Sequence, residues 1–282
     1  MNWQIFLLIS VIATSLSSIY QKKILNIEKI HSIAFAIGFQ LFVSLLVGCL
    51  LLFYGFNFSH LWLLLPNFIL MIALYAVGNL CRYGSIKRVD ISRYTILFQI
   101  NVIVSVIASY ILLREQLGLF QIIGILLVFS GALIVLWKKK FYQLHKGDWL
   151  AVASALIYGI AFVTDAVIVQ TFDPLTFVFL AFLGPGVMLA IIFPKKLIEI
   201  KTLFVKKARY NFFMASLLTA LSAASLYTAY RIGRNAAQLA SLSQFSAVLT
   251  VLLGIIVLKE KKSISGKIIG IILSTIGVLL LL

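Results

Sequence analysis

The chain has 282 residues, 62% of them hydrophobic and 11% charged, with a mean hydropathy of +1.11. A soluble domain of this length needs more charge to cover its surface, so a water-soluble fold is excluded. The formal net charge is +16, but the basic residues flank apolar runs, where anionic headgroups and topology signals account for them, and nucleic acid is not an expected partner.

Apolar runs of about twenty residues match the roughly 30 Å hydrocarbon core of a bilayer when helical. In chain order they predict an all-α integral membrane protein of ten transmembrane helices, at 3–21, 31–53, 61–81, 94–113, 117–137, 149–169, 175–194, 211–230, 237–258 and 265–282. The connections are short, leaving no soluble domain or long linker, and "MNWQ" has no basic n-region of a cleavable leader. Cys49 falls late in the second span and Cys81 late in the third, at opposite ends of antiparallel neighbours, so no disulfide is expected.

All basic residues except Arg114, Arg231 and Arg234 fall in or beside the odd-numbered loops. The positive-inside rule then puts odd loops in the cytoplasm and both termini outside, in a membrane of the bacterial cytoplasmic type. Arg82 is counted in the third loop, as a span-end arginine reaching for headgroups.

The chain is written twice. "FQINVIVSVIASYILLRE" (98–115) and "SQFSAVLTVLLGIIVLKE" (243–260) align Gln99 with Gln244 and Glu115 with Glu260, at an offset of 145. "IIGILLVFSG" (122–131) matches "IIGIILSTIG" (268–277) at an offset of 146, the spacing that also relates Trp3 to Trp149 and Gly38 to Gly184. Five spans per half make the second copy enter the membrane from the opposite side. This is a 5+5 inverted-topology repeat, divided as 1–140 and 146–282, and it is the architecture of many secondary transporters, with the site near midplane between the halves.

The twice-occurring glutamate of "LLRE" and "VLKE", followed by "IIGI" and a later glycine, resembles the EamA-type drug/metabolite transporter superfamily over nearly the whole chain. The resemblance implies one domain per half and movement of small metabolites, often amino acids. Members often carry a proline just after the positions of Gln99 and Gln244, where this chain has Ile100 and Phe245, and commonly keep both termini in the cytoplasm.

Seven of the eight acidic residues sit near span ends, and Asp165 of "YGIAFVTDAVIVQ" lies inside. A mid-helix aspartate is unfavourable by about 2.5–3.5 kcal/mol on insertion scales, so it is expected to face protein or water. Tyr158 and Ser154 share its helical face. Asp165 is a candidate to meet an ammonium group or to carry a coupling proton, with a structural hydrogen-bonding role as the alternative. Gln99 and Gln244 are expected to meet near the pseudo-twofold axis as cavity lining, or to bond neighbouring helices. Tyr75 and Asn79 align on one face of span three together with Arg82, and Tyr227 with Arg231 in span eight; the tyrosines suit substrate stacking or an interfacial belt. Gly184, Pro185 and Gly186 form a candidate gating kink, since proline removes a backbone donor. Glu115 and Glu260 are read as helix-start charges on the spans that follow them.

His31, His60 and His145 have no metal-like spacing, and neither a nucleotide fingerprint nor a nucleophile–base grouping occurs, so no cofactor, metal or catalytic residue is expected. The expected partners are a small-molecule substrate, membrane lipids and protons, without an ATPase subunit. A translocase for a lipid-linked phosphate carrier is the second reading, resting on Arg82 and Arg93.

Overall fold

The computed structural model describes residues 3–113, 118–136, 145–169, 171–233, 243 and 245–281. Its helices are α1 (Trp3–Leu25), α2 (Ser32–Tyr54), α3 (Leu61–Arg88), α4 (Ile91–Phe98), α5 (Ile100–Leu113), α6 (Leu119–Leu136), α7 (Lys146–Val169), α8 (Pro174–Ile192), α9 (Pro194–Leu197, continued by a 3-10 turn Ile198–Phe204), α10 (Arg209–Gly233), α11 (Phe245–Val257) and α12 (Ile264–Leu281). Of these, α1, α2, α3, α7, α8 and α10 are long and apolar enough to cross a membrane, while α6, α11 and α12 hold shorter apolar stretches. Their outer faces stay greasy: Leu52, Phe53 and Trp62 are 75%, 89% and 84% exposed. Such surface is unfavourable in water and at home in lipid.

The expected fourth span is two helices, α4 and α5, separated by a turn at Gln99. The ninth falls partly outside the described residues, and α3 runs to Arg88 rather than ending near 81.

The most extensive packings are α1 with α10, α6 with α12, α3 with α7, and α2 with α8, and each joins one half to the other. Exchanging the halves turns α1–α10 into α7–α3 and maps the other two pairs onto themselves, as a pseudo-twofold between inverted repeats requires. The glycines that reveal the repeat in sequence sit at this axis. A Cβ on Gly131 would stand 2.6 Å from the Gly270 carbonyl, and one on the equivalent Gly277 would stand 2.7 Å from that of Gly124. Only bare backbones let α6 and α12 approach so closely.

Polar contacts sort the loops by face. Lys22 donates to the carbonyls of Ile86 (2.6 Å) and Val89 (2.7 Å), Ser85 to Gly147 (2.7 Å), and Lys267 pairs with Asp90 (2.8 Å), tying the first, third, fifth and ninth loops together. At the opposite end the Asn57 amide donates to Thr176 (3.1 Å). Glu260 corrects an expectation. It caps α4 of the other repeat, accepting from the amides of Ile91 (2.7 Å) and Ser92 (3.2 Å), and meets the helix that follows it through the Lys267 side chain (3.3 Å). The exposed donors of a helix start attract a carboxylate from whichever chain segment lies there.

Candidate transport site between the repeats

A cavity of about 240 Å³ lies between α1, α2, α3, α7, α8 and α10. On one side "TSLSSIYQ" winds Thr14, Ser17, Ser18 and Gln21 onto a single face of α1, opposite Thr219 and Ser222 of α10. These hydroxyls form a zipper: Ser222 bonds Ser10 (3.1 Å) and Thr14, while Ser17 bonds Thr219 (2.6 Å) and the Ala215 carbonyl (2.8 Å) and accepts from Gln21 (3.0 Å).

The opposite wall is aromatic. Tyr75, Asn79, Arg82 and Tyr83 of α3 face Tyr158 and Phe162 of α7. Tyr158 donates to Asn79 Oδ1 (2.7 Å), and its ring meets those of Tyr75 and Phe98 edge-on at 5.1 and 5.3 Å. Room for Tyr158 comes from Gly78, where a Cβ would stand 2.8 Å from the ring. Tyr227 of α10 also lines the space, with Gln40 of α2.

Of the residues expected in the site, Tyr75, Asn79, Tyr158 and Tyr227 are brought together here. Asp165 stands behind them. It is 5% exposed and does not line the cavity; its Oδ2 accepts from Tyr75, and Tyr227 also bonds the carboxyl, while Oδ1 has no partner. The carboxylate therefore touches the cavity through two phenols that do line it.

Gln99 is buried at the α4–α5 turn and away from the cavity lining. Gln244 and the side chain of Arg231 lie outside the described residues. Helix α8 continues unbroken through Pro185. Its glycines admit neighbours: a Cβ on Gly184 would meet Ile72 at 2.5 Å, and one on Gly186 would meet Leu41 at 2.9 Å.

Arg82 differs most from its sequence reading. It faces the cavity rather than headgroups, with its guanidinium 5.6 Å from the Tyr83 ring centroid and 5.9 Å from that of Tyr158. Four lining residues hold buried atoms without a hydrogen-bond partner: Gln21 Oε1, Gln40 Oε1, Asn79 Nδ2 and Arg82 Nε. Unmet polar groups are rare in folded interiors, and a ring of them around one cavity marks a place where a polar guest belongs.

The α1–α10 hydroxyls were not singled out from the sequence. Their signal was available, as Ser and Thr recurring every three or four residues within an apolar helix, which resembles ordinary helix-to-helix bonding.

Comparison with known proteins gives this architecture a family. Residues 1–137 and 145–282 each match the EamA-like transporter family. No curated protein matches the chain. Seventeen solved chains match its fold. One, described only as "Crystal structure of protein", is 12% identical with a TM-score of 0.61, covering 99% of this chain and 95% of its own. With both halves matched, the chain belongs to the EamA-like transporter family and is an integral membrane transporter of two tandem family domains.

Proposed function

We propose that the chain is a secondary transporter carrying a small polar or amphipathic metabolite, of the amino acid or amine kind, by alternating access. Repeats 1–140 and 146–282 rock as one transport unit around the cavity, and Gly184, Pro185 and Gly186 supply a point at which α8 can bend during gating. The observation that carries this reading is the cavity between the repeats, four of whose lining residues hold unpaired polar atoms. Asp165 is the coupling group. A cargo that draws on the hydroxyls of Tyr75 or Tyr227 competes with the carboxylate for them, so loading the cavity and protonating Asp165 favour one another. The lipid-phosphate alternative is weaker, because Arg93 is engaged by Asp148 through two bonds of 2.6 and 3.0 Å.

The test is uptake by proteoliposomes under an imposed pH gradient, using a panel of labelled amino acids and amines. Asp165→Asn keeps the shape and removes the titration, so it should abolish gradient-driven accumulation and leave exchange intact. Accumulation at the wild-type level would overturn the coupling role. The proposed orientation has odd loops in the cytoplasm and both termini outside. Cysteine labelling should find the 195–209 loop cytoplasmic, and a cytoplasmic C-terminal reporter would reverse it.

A further inference from the structure

We propose that Arg82 is the anion subsite of this cavity and that the cargo carries a single carboxylate. The inference rests on the cavity being the transport site, and it narrows the cargo to amino acids and related acids, setting bare amines aside.

Arg82 lies six residues before the end of α3, about 9 Å along the helix, and turns inward. Arg82 is half-buried, and a guanidinium at that depth in a membrane-spanning helix favours a counter-charge, because an ion without one is poorly stabilised away from bulk water. None is present among the described residues. Their ion pairs use Arg93 with Asp148, Lys196 with Glu199, and Lys267 with Asp90 and Glu260. Asp165 is engaged by Tyr75 and Tyr227. The groups acting on Arg82 are the neutral phenols of Tyr83, Tyr94 and Tyr158, the last also as a hydrogen-bond partner, and with the ring faces of Tyr83 and Tyr158 they offset only part of the lost hydration and none of the charge.

The geometry suits a carboxylate. Arg82 Nε and Asn79 Nδ2 are unpaired donors three residues apart on one helix, and a carboxylate brings two acceptor oxygens. Gln21 Oε1 and Gln40 Oε1 are unpaired acceptors for the remainder of the molecule, which suits an ammonium or hydroxyl group elsewhere on the same cargo. A phosphate monoester carries nearly two charges, and one guanidinium would leave the second unmet. A bare amine would meet a like charge with nothing to offset it.

The test uses purified full-length protein in a carboxylate-free chloride buffer. Thermal stability is read for wild type, Arg82→Lys and Arg82→Gln with phenylalanine, 3-phenylpropionate, phenylalaninamide, phenethylamine or inorganic phosphate. The two carboxylates should stabilise wild type, Arg82→Lys should retain part of the response, and Arg82→Gln should weaken apparent affinity at least tenfold. Equal stabilisation by phenethylamine, a response to phosphate alone, or an undiminished response in Arg82→Gln would overturn the proposal. A ligand-free comparison decides the matter if none of these probes binds. Removing a half-buried charge that has no counter-ion should leave the melting temperature of Arg82→Gln at or above wild type, and a drop of several degrees would mean that the tyrosines already satisfy Arg82. Loss of carboxylate selectivity would leave transport standing, and loss of pH-gradient coupling would leave the anion subsite standing.

Discussion

The helix pairs α1–α10 and α3–α7 occupy equivalent places in the two repeats and are held together by different chemistry. Across α1–α10 the contacts are small hydroxyls in a redundant zipper. Across α3–α7 they are a few large groups, such as Tyr158 donating to Asn79 and Tyr75 to Asp165. At the repeat spacing of 146, Tyr158 corresponds to Ile12, Asp165 to Ile19 and Arg82 to Thr228, while Ser17 corresponds to Val163 and Ser222 to Ala76. The backbone is duplicated and the chemistry is not. The glycines of the α6–α12 crossing and the apolar faces, which set how helices cross, recur in both halves. The residues proposed to meet a cargo occur once, as suits a small metabolite without a twofold axis.

This contrast predicts unequal sensitivity. The largest effect belongs to Gly78 of α3, whose added Cβ would stand 2.8 Å from the Tyr158 ring and 3.3 Å from Ile157, both on α7. Gly78→Ala should destabilise by about 1–3 kcal/mol through overpacking. At the equivalent place on the other pair stands Ala224, already a methyl, and Ala224→Gly should lose only about 1 kcal/mol. Thermal melts in detergent compare the two, and equal losses would mean that the two pairs are packed alike.

Next is the tyrosine network. Asn79→Leu leaves the buried Tyr158 hydroxyl without its acceptor, a loss of about 1–3 kcal/mol. Thr219→Ala should cost less, about 0.5–1.5 kcal/mol, because its partner Ser17 keeps the Ala215 carbonyl and the Gln21 amide. Melting of the two variants side by side reads the difference. A larger loss for Thr219→Ala would show that the hydroxyl zipper is the more cooperative wall.

Much of the fold was legible because helices in lipid obey one strong rule, the satisfaction of backbone groups within each span. The repeat was legible because Gly124, Gly131, Gly270 and Gly277 keep their spacing for a geometric reason, the close crossing of α6 and α12. The tyrosine and asparagine positions on α3 and α7 could be read from helical periodicity, which puts Tyr75 and Asn79 on one face. Arg82 could not be placed this way. A basic residue near a span end reads identically whether it turns outward to headgroups or inward to a cavity, and only the packing of α7 against α3 decides. Glu260 was misplaced for a related reason: its partner is the start of α4, 169 residues away in sequence, and a charge next to one helix end carries no mark of which helix it caps.

The central claim is that the space between the repeats is a polar, water-accessible transport cavity within the membrane. Single cysteines test it most directly. In a background with Cys49→Ser and Cys81→Ser, Ser18→Cys places a thiol on the cavity wall, and Ile12→Cys places one on the same helix at a residue 43% exposed on the outer surface. Only a hydrated thiol ionises and reacts quickly with a membrane-impermeant thiol reagent. In intact proteoliposomes carrying both orientations, Ser18→Cys should be labelled much faster than Ile12→Cys. Labelling of Ser18→Cys at the slow rate of the lipid-facing control would contradict the account.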